Sequence, residues 1–497
     1  MLRVPCSVLL VALWLAACLP MATPAIPLSR VPTANLPSTI ENQQLSVPTR
    51  PVYNPGELVD YIAQTGDTLP ALAAHFNTSE AEIRAANLIL PADATTLPPG
   101  LPMKIPIYYA PFWGSSYQIL PDSLFINGPA QVGFDAQTFV AGKLGWLNGA
   151  LEYAAGANRS GAQVVQWVTQ NFSVSPQVLL ALLEYTSGAL SRPVRPNEAK
   201  DYPLGYEDWQ HKGLYLQLVW AANTLNNGYY GWRTGQLTSF NLLDGRQERL
   251  DPWQNAASAA LHYYFSRLLP SEAYAAAIAP DGFAATYREL FGDPWQAAQT
   301  TAQPHIPGSL RQPAFTLPFL PGLPWAYTGG PHAGWGNGDP LAALDFAPGA
   351  IQGGCTPTKE WATAVAPGVV VRTDVGVVIL DLDSDAGPAD GDERTGWVVF
   401  YLHIETEGRV AVGTRLKTGD PVGHPSCEGG ESTGTHVHIA RKYNGEWVPA
   451  AGPLAFNLEG WVAQNGAGPY QGTLTRYSNT IRACECSDQA SQIEAGK

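Results

Sequence analysis

Six prolines fall between Gln303 and Trp325, at positions 304, 307, 313, 318, 321 and 324. Proline removes a backbone donor and clashes inside a helix, and within a sheet it is confined to edges. Neither a helix nor an interior strand can therefore run through 301–324, which is read as a stiff connector. A second such stretch, residues 19–57, is rich in Pro, Thr, Ser, Asn and Gln and is read as an extended tether. With 497 residues the chain exceeds one core, and these two breaks set the divisions. The expected architecture is multidomain α+β. It has a small βααβ unit at 58–107, a mainly helical region at 120–300 and a mainly antiparallel-β domain at 325–487.

The first residues read as an export signal occupying 1–18. Arg3 supplies a basic start, and Ser7 to Leu15 is an apolar run too short to anchor as a spanning helix. It ends in Leu15-Ala16-Ala17-Cys18, which resembles a bacterial lipobox; the resemblance implies a lipid-modified Cys18 and stable anchoring through more than one chain. The protein is thus expected to be exported, either held at the outer face of the cell membrane or in the extracellular and wall space. The net charge of −14 argues against nucleic acid or an anionic membrane surface as the main partner. Only 14% of residues are charged while Gly, Pro, Trp and Tyr abound, which suits a turn-rich secreted protein with aromatic surfaces for carbohydrate. Beyond the signal, four cysteines remain (Cys355, Cys427, Cys484, Cys486), an even number that permits disulfides in an exported protein. Cys484-Glu485-Cys486 is too cramped for an easy bridge between its own members. Cys355 and Cys427 flank the segments discussed below and are expected to pair.

In 58–107, Leu58 to Ala63 alternates as a strand, and Gly66-Asp67-Thr68-Leu69 turns into a helix with Asp67 as its expected N-cap. Leu72, Ala73 and Phe76 form one apolar face. Ser79-Glu80-Ala81-Glu82 is a capping box opening a second helix, and Met103–Ile107 is a second strand. This order, with T-G-D-T-L, A-x-x-H-F-N and I-x-x-A-N at these spacings, resembles a LysM domain. The resemblance implies binding of N-acetylglucosamine-containing polymers beside Gly66, Asp67, Thr68 and Leu69 and the loop after Asn87.

From 120 to 300, apolar residues recur at helical spacing in Gly161–Asn171 and Pro176–Thr186. Ser175-Pro176 suits a helix start and Gly188 a stop. Pro176 to Glu184 resembles the catalytic helix of lysozyme-like transglycosylases, which implies Glu184 as a general acid; the family's Glu-Ser is Glu184-Tyr185 here.

The last domain reads as strands at Val365–Arg372, Val375–Leu382, Trp397–His403 and Thr435–Arg441, broken by Gly and Pro turns. His436 and His438 project from one face of their strand. A metal ion and a simple surface pair both account for two adjacent imidazoles. A hydrolytic zinc needs three His or carboxylate ligands and an open position. His332, Asp345 and His438 could supply them, leaving His436 and His403 as basic groups beside the metal. Leu-Asp345-Phe, Tyr401-Leu-His403, Gly419-Asp-Pro-Val-Gly423 and Ser432-Thr-Gly434-Thr-His436-Val-His438 together resemble the lysostaphin-type (LytM-like) zinc endopeptidases. Most members carry the first ligand four residues before the aspartate, where this chain has Leu341. The β-lytic branch has Gly-Gly-Pro-His upstream instead, and Gly329-Gly330-Pro331-His332 lies thirteen residues before Asp345. The resemblance implies a zinc endopeptidase cutting the peptides of bacterial peptidoglycan, held on glycan by the LysM unit. The rival expectations are a catalytically silent wall-binding lipoprotein that activates another hydrolase, and a bifunctional enzyme that also cleaves glycan through Glu184.

Overall fold

The computed structural model describes residues 50–109, 114–299, 304–349, 353–383, 389–486 and 488–496. The signal, Cys18 and the tether up to residue 49 lie outside them. No helix among the described residues is long and apolar enough to cross a membrane.

The first unit is βααβ. Strand β1 (Glu57–Ile62) pairs antiparallel with β2 (Pro102–Ile107) and packs on helices α1 (Leu69–His75) and α2 (Glu80–Ala86). Leu72, Phe76, Ile83 and Ile105 fill its core. Ser79 and Glu82 form the expected reciprocal cap of α2. The cap of α1 differs from expectation: Thr68, one residue later, accepts from the Ala71 N–H. Asp67 turns inward instead, where its carboxylate accepts from the Tyr61 hydroxyl at 2.7 Å and the Gln64 N–H at 2.7 Å. Burial lifts the Asp67 carboxyl to about 6 despite these donors.

The middle region is mainly helical. Its principal helices are α3 (Gly161–Phe172), α4 (Pro176–Ser187), α5 (Leu214–Arg233) and α6 (Ala256–Ser266). A Ser160–Gln163 capping box opens α3, and Gly188 closes α4 in the left-handed conformation. Ser175 precedes Pro176 as expected but makes no side-chain cap bond. Two short hairpins, Leu151–Ser160 and Ser239–Arg249, interrupt the helices.

The C-terminal region is built on a nine-stranded antiparallel sheet. Its strands are β3 (Trp325–Ala333), β4 (Leu341–Pro348), β5 (Gly368–Asp374), β6 (Val377–Leu382), β7 (Trp397–Leu402), β8 (Arg415–Leu416), β9 (Val437–Tyr443), β10 (Glu446–Trp447) and β11 (Gln492–Ile493). The spatial order is β8-β5-β6-β7-β9-β4-β3-β11, with β10 on the end of β9. Because side chains alternate, the two faces serve different cores. Val378, Leu380, Val399, Tyr401, Val437, Ile439, Leu344 and Phe346 pack into the region's own core. Ile379, Val398, Phe400, Ala440 and Trp447 join one apolar cluster with the helical region. His438 and Asp345 project toward that second face, by alternation with Ala440 and Leu344.

The described part of the proline-rich segment, 304–324, keeps out of helices, but it is not a free spacer. Phe315 bridges to Leu458, Phe319 bridges to Ala362 and stacks on Trp325 at 4.5 Å, and residues 305–311 lie along the βααβ unit.

Candidate metal centre

Three elements bring His332, Asp345 and His438 together. In the β9–β4 register His438 sits directly opposite Asp345. His332 arrives from β3, whose register shifts on both sides of it. The glycines before it are there for close approach. A Cβ on Gly329 would lie 2.3 Å from Asp345 Oδ2, and one on Gly330 would lie 2.5 Å from the Gln471 backbone.

The resulting triangle is tight and buried. His332 Nε2 is 3.0 Å from His438 Nδ1 and 3.2 Å from Asp345 Oδ1, and His438 Nδ1 is 3.3 Å from the same oxygen. Four ligands about 2.0 Å from a tetrahedral zinc are separated by edges of about 3.3 Å. The outer nitrogens strengthen this fit. His332 Nδ1 lies 2.8 Å from the Gly330 carbonyl, and His438 Nε2 lies 3.1 Å from the Gly334 carbonyl. A carbonyl only accepts, so each outer nitrogen carries the proton and both inner nitrogens are lone pairs. Two lone pairs at 3.0 Å repel unless a cation lies between them. Asp345 Oδ1, buried beside them, makes no hydrogen bond. The three residues could hold a metal ion together, and backbone carbonyls orient both rings from outside. With no metal bound, burial pushes the Asp345 carboxyl up, but His332 and His436 outweigh it and hold it well below the usual carboxylate range. Burial lowers His332, yet Asp345 outweighs it and raises that ring. His438 is lowered, chiefly by burial.

The other two histidines border the triangle. His436 Nδ1 donates to the Gly434 carbonyl at 2.7 Å, and its Nε2 faces inward, 3.7 Å from Asp345 Oδ1. His403 donates from Nδ1 to the Glu428 carbonyl at 2.9 Å, and its ring centre is 4.5 Å from that of His436. Burial pushes His403 down to about 3, and the neighbouring His436 and His438 add to this. Its backbone is left-handed, φ +62°, a conformation costly for a residue with a side chain.

Sequence reasoning missed Tyr470. Its ring stacks on His332 at 4.2 Å, its N–H donates to the Pro331 carbonyl and its own carbonyl accepts from Gly330. It too is left-handed, at φ +65°, and 52% exposed. It therefore reaches solvent beside the His332 corner of the triangle. No motif around it carries a signal; only the hairpin that follows Trp461–Asn465 delivers it.

A bridge joins Cys355 to Cys427, with Cα atoms 5.7 Å apart. Cys484 and Cys486 also pair, contrary to expectation, because the backbone bends at Glu485 and brings their Cα atoms to 5.0 Å. The remaining expected site residues are placed otherwise. Gly66, Asp67 and Leu69 are buried and Thr68 caps α1, so these four do not form an open surface. Glu184 lies in the last turn of α4 and accepts from the N–H groups of Leu190 and Ser191 and from the Ser191 hydroxyl, which ties its carboxylate to the loop that follows.

Residues 118–305 match the model of the LasA N-terminal domain, and 61–106 match the LysM domain. The protease LasA of Pseudomonas aeruginosa strain PAO1 is 27% identical over 376 residues, covering 72% of this chain and 81% of LasA. The β-lytic metalloendopeptidase of Lysobacter enzymogenes is 28% identical over 138 residues, covering 26% of this chain and 70% of that enzyme. The chain is a zinc metalloendopeptidase similar in sequence to LasA and to the β-lytic enzyme. Among solved structures, the deep-sea M23 metalloprotease pseudoalterin aligns with 35% of this chain and 96% of its own, at 23% identity and a TM-score of 0.29. The helical region of this metalloendopeptidase is thus matched by a LasA-type domain.

Proposed function

We propose that this metalloendopeptidase is exported and hydrolyses peptide bonds in bacterial peptidoglycan, with its LysM domain engaging N-acetylglucosamine-containing glycan. The observation that supports the reading is the triangle of His332, Asp345 and His438, whose inner atoms lie 3.0–3.3 Å apart around an Asp345 Oδ1 that makes no hydrogen bond.

His332, Asp345 and His438 are assigned as the zinc ligands. Zinc bound there supplies Lewis acidity and a water acidified toward neutral pH. His436 is assigned as the base that takes the water's proton, since its Nε2 is the free lone pair facing the triangle. His403, whose Nε2 is likewise an accepting lone pair, is assigned as a second proton acceptor beside His436. Tyr470 holds the His332 ring by stacking and walls the open side. Lipid on Cys18 and the LysM domain would raise the concentration of wall polymer near this centre without altering the chemical step.

One observation favours a second reading, a silent wall-binding lipoprotein. The sheet face beside His438 is buried under the helical region rather than open. The two separate by experiment. Purified full-length protein is assayed for bound zinc and for amino groups released from purified peptidoglycan. One zinc per chain with release that His436→Ala abolishes supports the peptidase; zinc without release supports the silent protein. Release of reducing sugar, lost in Glu184→Gln, would instead identify a second, glycan-cleaving site.

A further inference from the structure

Residues 305–311 (His-Ile-Pro-Gly-Ser-Leu-Arg) run across the two loops that frame the LysM face. On the first loop, Thr65 Oγ1 accepts from the Ile306 N–H at 2.8 Å and donates to the Ile306 carbonyl at 3.2 Å. On the second, Thr96 Oγ1 donates to the Pro307 carbonyl at 2.7 Å and accepts from the Leu310 N–H at 3.0 Å, while the Thr96 carbonyl accepts from Ser309. Thr95 donates to the Leu310 carbonyl at 2.5 Å. Arg311 pairs with Asp93, and Gly308 lies so flat on Pro98 that an added Cβ would sit 2.7 Å from the Pro98 Cα. Gly66 is covered from the other side by the Arg233 guanidinium, which donates to the Thr65 carbonyl.

This is the pattern of a ligand rather than of a spacer. The Thr65 and Thr96 hydroxyls each act as donor and acceptor at once, as they would toward a sugar hydroxyl or an N-acetyl group. The segment offers them backbone groups at nearly every residue. We infer that residues 305–311 are an intramolecular ligand of the LysM face, so that glycan and this segment exclude one another. The inference rests on the proposed glycan-binding role of the LysM domain. Its consequence is that glycan binds the chain only after this segment has lifted, and the observed affinity is lowered by the fraction of chains in which it has. Because the same segment leads into the metallopeptidase region, wall glycan would loosen the junction between the modules as it binds.

The test uses full-length, zinc-loaded protein with the N-acetylglucosamine hexamer as probe. Gly308→Val forces the segment off Pro98 without changing a LysM residue; Arg311→Glu, which replaces the pair with Asp93 by repulsion, is the milder companion. Titration calorimetry should find hexamer binding at least about tenfold tighter in Gly308→Val than in the wild type, with a smaller gain in Arg311→Glu. In the wild type, saturating hexamer should also speed tryptic cleavage after Arg311. Equal affinity in the three proteins, or bound hexamer with unchanged cleavage after Arg311, overturns the inference while leaving glycan binding intact. Absence of hexamer binding in all three, with cleavage after Arg311 nonetheless faster in Gly308→Val than in the wild type, shows that the segment lifts but that the LysM domain is not a glycan site, and the inference falls with that role.

Discussion

Asp345 and Glu446 are equally buried carboxylates, 5% and 6% exposed, on neighbouring parts of one sheet, and each has imidazole beside it. Glu446 is fully engaged. Its Oε1 accepts from Arg233 Nε at 3.0 Å, and its Oε2 accepts from the Tyr229 hydroxyl at 2.9 Å, from Arg233 Nη2 at 3.3 Å and from His305 Nε2 at 3.1 Å. Burial opposes the charge, but Arg233 and then His305 overcome it and hold the Glu446 carboxyl near about 2. Asp345 Oδ1 has three imidazole nitrogens within 3.7 Å and no hydrogen bond. The first group is complete as it stands and joins the LysM unit, the helical region, the connector and the sheet. The second needs a cation to be complete. A buried carboxylate is therefore informative through what its neighbours have left to give, not through burial or a shifted pKa alone.

The sharpest way to break this contrast is to remove one corner of the triangle. Asp345→Ala, His332→Ala and His438→Ala should each bring bound zinc, measured by atomic emission on the dialysed protein, from about one per chain to near zero, with peptidase activity lost. A His332→Ala protein with full zinc would mean that another residue supplies the upstream ligand. Next in size, His436→Ala and His403→Ala should keep zinc while turnover on a cell-wall peptide drops about 10²- to 10⁴-fold. Loss of zinc in either would move that histidine into the ligand set.

At the self-satisfied cluster the expectation reverses. Arg233→Met leaves Glu446 and Asp122 buried without their cation, which should cost about 3–5 kcal/mol of stability in denaturant melts. Zinc stoichiometry of the folded fraction should not change. The same cluster predicts an acid limb. The folded-state pKa of Glu446 is depressed, so its contribution is complete above the ordinary carboxylate range, about 4.3, and is lost as pH falls toward about 2. Glu446→Gln should therefore melt lower than the wild type at neutral pH, and the gap should narrow steadily below about pH 4. A gap constant from about pH 6 to about pH 2.5 would show that the charge of Glu446 is not what the cluster uses.

How much of this was legible follows from how local each signal is. His436 and His438 stand two apart in one short motif, and Gly329 to His332 is contiguous, so the proposed ligand set could be named before its geometry was known. The Ser79–Glu82 and Ser160–Gln163 caps were open to the same local reading, although only the first was picked out. Asp67 was misplaced because N-cap preference separates Asp from Thr only weakly, while Tyr61, across the unit, offers Asp67 a buried hydroxyl. Tyr470 and the covering of Gly66 by Arg233 depend on residues more than a hundred positions away, on which local periodicity is silent. Over residues 304–324 the prolines go with an absence of helix, yet composition could not tell a free spacer from a segment docked by its own backbone.

The finest distinction between the two carboxylates lies in how far their support extends. His438 is oriented by the Gly334 carbonyl, and Gly334 opens the loop joining β3 to β4. That loop is held from outside its own domain: Asn223 on α5 accepts from the Asn337 N–H at 2.9 Å, and Asn227, one turn on, accepts from the Asp339 N–H at 2.7 Å. Gly336 and Gly338 are left-handed and bare, and a Cβ on either would strike those same amide oxygens, at 2.4 and 2.2 Å. Trp335, on the same loop, lies edge-on to Trp167 and Phe400. The helical region thus holds the carbonyl that fixes the tautomer of a proposed ligand, His438. Replacing both asparagines by alanine leaves every proposed ligand and both flanking histidines in place, so zinc should still bind at one per chain. Its affinity, read by competition with a chromophoric chelator, should weaken by about tenfold, the lower end of what loss of outer-sphere orientation costs. Unchanged affinity would confine control of the metal to the sheet, and a weakening as large as that of His438→Ala would make the loop as important to the centre as a ligand.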